Sequence, residues 1–339
     1  MRENELNTAQ NKIFVVIVTY SNRFHLLKQS IDAALKEGVY KIIVVDNYSH
    51  PDSREKLKAY EQSLPNKLNV ITLDENTGSS GGFKRGIEAV CKDPECDFVW
   101  LLDDDNVVQE EALSSLLNIY NAQQSENHLI ALSSYRVDTT TGRDIVQKGI
   151  IRRYKANNFG GFNFIATVKR KLSGLFSAKN PVLKRSPVTS IELAAYGGLF
   201  LPRKTIELIG LPNEDYFVYV DDQDYSYRIV KNGGKLWYCA SSMIKDVDEA
   251  EDNTINAYLY FRQSTSEMKM YYTIRNQVYF GKQFKTNNLM YFGNMWAKLL
   301  ILGLFSLSNI KLMKRRLRLI MRAIRDGHLG NMGKTFGDK

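Results

Sequence analysis

Three carboxylates, Asp103, Asp104 and Asp105, follow directly on the apolar run Phe98-Val99-Trp100-Leu101-Leu102. Like charges grouped beside a buried strand cost free energy unless a cation compensates them. A hard divalent ion is the usual compensation, since Mg²⁺ or Mn²⁺ takes one or two protein carboxylates together with the oxygens of a phosphorylated substrate. The same run would also serve as a solvated acidic loop. A second acidic group, Asp221, Asp222 and Asp224, lies more than a hundred residues further on. Two such clusters suit a reaction that needs both a metal anchor and a general base. They equally suit a helix start over 223–232, with Asp224 and Arg228 as an i,i+4 ion pair on it.

Between the clusters in chemistry, though before both in the chain, residues 76–86 read N-T-G-S-S-G-G-F-K-R-G and open a helix. Glycines there permit close backbone approach, and amides at a helix N-terminus favour an anion such as diphosphate. The loop is not G-x-G-x-x-G and follows the third strand, which argues against a dehydrogenase; no Walker A loop is present.

The elements that must position these residues are legible as patterns. Residues 12–19 and 41–46 are continuous β-branched runs, as in strands covered on both faces of a parallel sheet. Helical spacing over 24–36 joins them. A helix at 52–63, a strand at 68–73, the glycine loop, a helix at 82–90 and a strand at 97–102 extend the alternation. This predicts an α/β fold with right-handed crossovers and a ligand site outside the carboxyl ends of the strands, where Thr19, Asp46, Asn76 and Asp103 all fall. Residues 139–187, rich in basic and aromatic side chains without period, read as an irregular insertion or mobile loop. Beyond 248 the chain reads as helical, over 255–280 and then 289–324, so a catalytic region at 1–248 and a helical region at 249–339 are expected.

Composition narrows the class. With 44% hydrophobic residues the chain is globular, and its three cysteines form neither a disulfide framework nor a zinc-spaced set. The polar first eleven residues hold no secretory signal, which points to the cytosol. The net charge is +9, but residues 289–339 hold ten basic against two acidic side chains, so nearly all of it sits in the tail. That distribution disfavours nucleic acid. Residues 289–307 are almost long enough to cross a bilayer, but Asn294 and Lys298 interrupt them. Followed by Lys311, Lys314, Arg315, Arg316, Arg318, Arg322 and Arg325, they suit a helix on an anionic membrane surface. Packing on the catalytic region or at a homo-oligomer interface is the other reading.

Taken in order, V-T-Y-x-x-R (18–23), V-D-N-x-S (45–49), the loop at 76–86, L-D-D-D (102–105), D-D-x-D-Y-x-x-R (221–228) and Y-Y-x-x-R-N (271–276) resemble the family 2 inverting glycosyltransferases of the GT-A fold. The resemblance covers nearly the whole chain and is nearest to the bacterial galactofuranosyl and rhamnosyl transferases of cell-surface polysaccharides. It implies a mixed, mainly parallel α/β sheet flanked by helices. It also implies a nucleotide-sugar donor, with UDP-galactofuranose favoured over dTDP-rhamnose, and a lipid-linked glycan acceptor. By the same resemblance Thr19, Tyr20, Arg23, Asp46, Asn76, Gly78, Arg85 and Asp104 line the donor. Asp103 and Asp105 match the D-x-D pair that meets Mn²⁺ or Mg²⁺, and Asp222 matches the catalytic base. Asp221, Tyr196, Tyr271 and Arg275 are the acceptor-side expectations, with Tyr271 and Arg275 at i,i+4 on one helix face and an ordinary core role for Tyr271 and Tyr272 the other reading.

One departure stands out: where relatives carry a metal-binding His about two dozen residues past the base, this chain reads Ser242-Met243-Ile244-Lys245-Asp246-Val247-Asp248. Either Asp246 or Asp248 supplies the missing oxygen ligand, Asp246 being the candidate named, or the metal is held by the D-x-D pair, donor and water only, with Lys245 placed to neutralise phosphate charge. A sugar-nucleotide pyrophosphorylase would need a G-x-G-T-R-type loop after the first strand, where Thr19-Tyr20-Ser21-Asn22-Arg23 stands instead. A non-catalytic basic protein, binding membrane or nucleic acid on a transferase scaffold, is the alternative of another class.

Overall fold

Uninterrupted apolar strands build the centre of the molecule. The computed structural model describes residues 11–123, 129–149, 151, 153–174, 187–248, 266–304 and 310–336. Strands β1 (Ile13–Ser21), β2 (Lys41–Ser49), β3 (Leu68–Thr72) and β4 (Phe98–Asp103) are parallel, in the order β3-β2-β1-β4. Helices α1 (Phe24–Lys36), α2 (Pro51–Ser63) and α3 (Gly78–Cys91) make the crossovers. Alternate residues feed two cores: Val15, Ile17, Trp100 and Leu102 pack with Leu27 and Ile31 of α1, whereas Phe14, Val16, Val99 and Leu101 pack with Phe83 and Ile87 of α3. Burial on both faces is why these strands lack a polar alternation.

The sheet continues past β4 in mixed orientation. After the short β5 (Asn106–Val108) and α4 (Ala112–Gln123) come β6 (Ile130–Arg136), α5 (Thr140–Lys148), α6 (Phe164–Gly174), β7 (Val188–Ile191), β8 (Leu199–Pro202), α7 (Arg203–Ile209), α8 (Asp221–Lys231) and β9 (Lys235–Asp246). β8 runs antiparallel between β4 and β6, β9 runs parallel to β6, and β5 and β7 run antiparallel to β9. The expected α/β class with a mixed sheet is what forms. Register sets Thr19 beside Asp46 and Val18 beside Asp103, so the polar ends of three strands share one edge.

Three boundaries differ from the sequence reading. The glycine stretch is not a loop but the opening turns of α3, which begins at Gly78. A Cβ on Gly82 would lie 2.5 Å from Val18 Cγ1, and one on Gly86 2.3 Å from Val16 Cγ1. Those two glycines therefore let α3 settle on β1. The 139–187 segment contains two helices, α5 and α6, although 150, 152 and 175–186 lie outside the described residues. Of the first C-terminal helix expected, residues 255–265 lie outside the described residues and α9 is Glu267–Gly281. The second is a pair, α10 (Asn288–Leu304) and α11 (Ile310–Leu329). Tyr291 meets His328 with ring centroids 5.7 Å apart while Leu299 neighbours Ile320, so the two helices run antiparallel against α9.

Candidate active site

The acidic run at the end of β4 is crossed by two arginines. Asp104 is buried, accepts from Thr19 Oγ1 at 2.7 Å and from Arg23 Nε at 3.0 Å, and so closes the base of the site. Arg23 also reaches Asp105 at 3.1 Å and Asp248 at 2.5 Å. Arg136, the last residue of β6, donates from Nη1 to Asp103 Oδ2 at 3.2 Å and from Nη2 to Asp246 Oδ2 at 2.8 Å. Asn106 joins the same group, its amide donating to Asp105 at 3.2 Å and to Asp246 at 2.8 Å. Gly197 leaves room for it all, because a Cβ there would stand 2.3 Å from Asn106 Oδ1 and 2.6 Å from Asp103 Oδ2. Asp103, Asp105 and Asp246 are thus brought together, with an arginine on each.

Burial pushes Asp103 up to about 6, against the pull of Arg136. Asp105 is pushed up to about 6 by burial and then by Asp103 beside it. These are carboxylates whose charge a further cation would stabilise. Among the described residues no three His, Cys, Asp or Glu side chains converge closely enough to hold a metal by themselves. An all-oxygen set of one or two carboxylates completed by donor phosphate fits Mg²⁺ or Mn²⁺ chemistry.

The helix expected over 223–232 starts two residues earlier, so that Asp221 and Asp222 are the first two residues of α8 behind Val220 at the N-cap, and Asp224 and Arg228 form the expected pair at 3.2 Å. Asp222 is half-buried and accepts from the Gln223 amide at 2.8 Å. Burial pushes it up to about 6, opposed by that amide and by Arg136. The influence of Arg136 on both Asp103 and Asp222 joins the two acidic groups into one site. Asp221 is buried, accepts from Ser79 Oγ at 2.7 Å, and is raised to about 8 by burial and by Asp222. Tyr196 stacks on Phe83 at 4.2 Å between centroids; its buried hydroxyl has no hydrogen-bond partner among the described residues, and its pKa is raised by burial and by Asp221 and Asp222.

The chain approaches α8 through a turn in which Phe217, Tyr219 and Val220 all have φ between 65° and 68°. Non-glycine residues there are strained by roughly 1–3 kcal/mol each and persist only where their surroundings fix them. The fixing groups come from α9. Asn276 Nδ2 donates to the carbonyls of Tyr216, Val218 and Tyr219 at 2.8–2.9 Å, and Arg275 Nη2 to Tyr216 O at 3.0 Å. Arg275 further binds Gly333 O at 2.6 Å, and Tyr271 donates to Asp326 at 2.7 Å. Tyr271 and Arg275 are both buried. The hydrogen bonds of both are made within the fold, which favours a scaffolding role over the acceptor contact expected of them.

On the nucleotide edge, Thr19 and Asp46 are buried and Tyr20 is exposed, with Arg23 Cζ 5.6 Å from its ring. Asp46 is already engaged by Arg54 Nε at 2.6 Å and the Ser49 amide at 2.8 Å. Asn76 accepts from the Gly78 amide at 2.9 Å, and Asn47 ties down Thr77 and the Gly78 carbonyl, each at 2.9 Å. Gly78 has φ +73° and lies so close to Phe217 O that a Cβ would collide at 1.9 Å. Arg85 sits two turns into α3, exposed, and pairs with Glu214 at 3.6 Å. Arg136, Asn106, Asn47 and Asn276 were not singled out from sequence. Only Asn106, directly after the acidic run, and Asn47 and Asn276, inside quoted motifs, carried a signal there.

Comparison with known proteins bears on the family and the fold. The pattern of glycosyl transferase family 2 matches residues 14–180. The chain is 24% identical over 278 residues to the galactofuranosyltransferase GlfT1 of Mycolicibacterium smegmatis, covering 80% of this chain and 83% of that protein. It is 21% identical over 236 residues to the minor teichoic acid biosynthesis protein GgaB of Bacillus subtilis, covering 68% of this chain and only 25% of GgaB. Among solved structures it is similar in fold to GalNAc-T7 with UDP, GalNAc and Mn²⁺ (TM-score 0.54, 17% identity, 71% of this chain and 44% of that one). The mannosyltransferase PcManGT of Pyrobaculum calidifontis with GDP-Man and Mn²⁺ is likewise similar (TM-score 0.51, 12% identity, 96% and 80%). The match over residues 14–180 gives the chain a glycosyl transferase family 2 domain, and its mixed sheet flanked by helices is the GT-A fold of these solved neighbours.

Proposed function

We propose that the chain transfers galactofuranose from UDP-galactofuranose to a lipid-linked glycan in bacterial cell-surface polysaccharide synthesis, by a metal-dependent inverting displacement. The observation that supports the reaction type is the cluster around Arg136, which is hydrogen-bonded to both Asp103 and Asp246 and near enough to Asp222 for its charge to act there. The choice of sugar rests on the similarity to GlfT1 over most of both chains.

In this reading Thr19, Tyr20, Asp46, Asn76 and Gly78 receive the nucleotide, and Asp104 with Arg23 fixes the floor beneath it. Asp103 and Asp105 would hold Mn²⁺ or Mg²⁺, which when bound stabilises charge on the departing diphosphate. Asp246 is held by Arg136 as a neighbour of that pair. Asp222, with a pKa near 6, is mostly ionised at neutral pH and basic enough to take a proton. It removes the acceptor hydroxyl proton as that oxygen bonds to the anomeric carbon. The bond from that carbon to the phosphate oxygen breaks on the opposite face, UDP leaves, and the configuration inverts. Tyr196, whose buried hydroxyl has no hydrogen-bond partner among the described residues and feels the charge of Asp221 and Asp222, lies behind that pair as the acceptor-side aromatic.

The test is donor turnover with Mn²⁺ across UDP-galactofuranose, UDP-galactose, UDP-glucose and dTDP-rhamnose. UDP-galactofuranose is expected to lead; a preference for dTDP-rhamnose would reassign the sugar while keeping the reaction.

A further inference from the structure

Of the fifteen large apolar side chains exposed among the described residues, ten lie on three helices: Phe164, Ile165 and Val168 on α6, five on α10, and Met321 and Leu329 on α11. The three are neighbours. Asn294 of α10 accepts from the Phe164 amide at 2.9 Å, and the other side of α10, through Tyr291, Met295 and Leu299, packs with Ile320, Ala323 and Ile324 of α11. The two polar residues that interrupt α10 in the sequence are turned inward. Asn294 is buried on Asn157 O and the Phe164 amide, and Lys298 donates to Gly160 O at 3.0 Å, where burial lowers its pKa to about 8. What α10 shows to solvent is therefore apolar: Leu289 at 85% exposure, Trp296 at 60% and Leu300 at 66%. Beside it, α11 presents Lys311, Lys314, Arg315, Arg318, Arg322 and Arg325 on its exposed face, with Glu267 and Asp326 the acidic groups paired to them.

We propose that this three-helix face docks on an anionic lipid bilayer, with α10 and the start of α6 in the interface and the basic stripe of α11 on the headgroups. Among the described residues no helix is long and apolar enough to cross a membrane. An in-plane helix needs only what α10 has, an apolar outer face with an aromatic side chain and a cationic flank. The charge selects the occupant. A second copy docked through the same face about a two-fold axis would bring each basic stripe to the same interface, which like-charge repulsion opposes. A bilayer rich in acidic lipid supplies the complement, at about fivefold in affinity for each Lys or Arg near the surface.

The test uses the full chain without donor or metal, so that it stands apart from sugar transfer. Vesicles of phosphatidylcholine alone and of phosphatidylcholine with phosphatidylglycerol are compared by flotation and by tryptophan emission. Trp100 is buried and Trp237 is half-buried against the sheet core, so the exposed Trp296 should dominate any blue shift. Binding is expected only with phosphatidylglycerol, weakened by salt, lost at least tenfold in Trp296→Glu/Leu300→Glu, and reduced about 25-fold in Arg318→Gln/Arg322→Gln. UDP binding of each variant confirms that it has folded. Absence of anionic-vesicle binding by the parent chain, or its full retention in the Trp296/Leu300 variant, overturns the proposal. A dimer of the parent that this variant dissolves, without vesicle binding, would assign the face to a second copy instead.

Discussion

Asn276 on α9 donates its side-chain amide to the Tyr219 carbonyl at 2.8 Å, two residues before Asp221. The same amide reaches Val218 and Tyr216, so one side chain holds three carbonyls of a turn with three left-handed non-glycine residues. Removing it should let that turn relax and move Asp222. We expect Asn276→Ala to lower kcat by about 10²-fold, the scale of a misplacement near 1 Å, with UDP affinity within about twofold of the parent. Stopped-flow turnover and calorimetric UDP binding check this. Equal loss in both would mean that the turn supports the whole site and not the base in particular.

Arg136 stands within hydrogen-bond reach of Asp103 and Asp246, where its charge competes with any divalent ion. At pH 8, Arg136→Met should bind Mn²⁺ on the order of tenfold more tightly in the absence of donor, since a unit charge a few ångströms away is removed. Electron paramagnetic resonance of free Mn²⁺ reads this directly. Unchanged affinity would place the ion out of reach of Arg136.

Asp221 carries the largest carboxyl shift for which the site geometry gives a clear cause. Its pKa is about 8 in the folded chain against an ordinary carboxylate value when unfolded, so the native state binds the extra proton between roughly pH 4 and 8. Stability contributed by the protonated form is therefore lost as pH rises through 8. Asp221→Asn cannot titrate and still accepts from Ser79. Its Tm relative to the parent should rise steadily from pH 5 to pH 9, as scanning calorimetry would record; a difference independent of pH would refute the shift.

Gly86 tests packing apart from chemistry. With a Cβ 2.3 Å from Val16 Cγ1, Gly86→Ala should cost about 1–3 kcal/mol by overpacking, measured as a lower urea midpoint. Activity per folded molecule should stay near that of the parent.

Much of this was readable in advance because strands buried on both faces announce themselves. The runs at 12–19 and 41–46 became β1 and β2, and their register carried Thr19, Asp46 and Asp103 to one edge. The glycine loop misled because a helix rich in glycine lacks the apolar spacing that marks helices, although its glycines serve packing. Arg136 was invisible because a lone arginine at the end of a strand has no local pattern. Its meaning comes only when β6 meets β9, 110 residues from Asp246 in sequence. Tyr271 and Arg275 fall at i,i+4 on α9, but which way that helix turned its faces depended on the segment at 330–336 folding back onto Arg275 and Tyr272. Asp246 was reachable by position; that its partner is an arginine was not.

The most direct test of the account is turnover of UDP-galactofuranose with Mn²⁺ and a lipid-linked acceptor by the Asp222→Asn variant. The account predicts a fall in kcat of about 10²–10⁴-fold, the usual contribution of a general base, with UDP affinity preserved. Parental turnover in this variant would contradict the assignment of Asp222 as the base, and with it the chemistry proposed for this site.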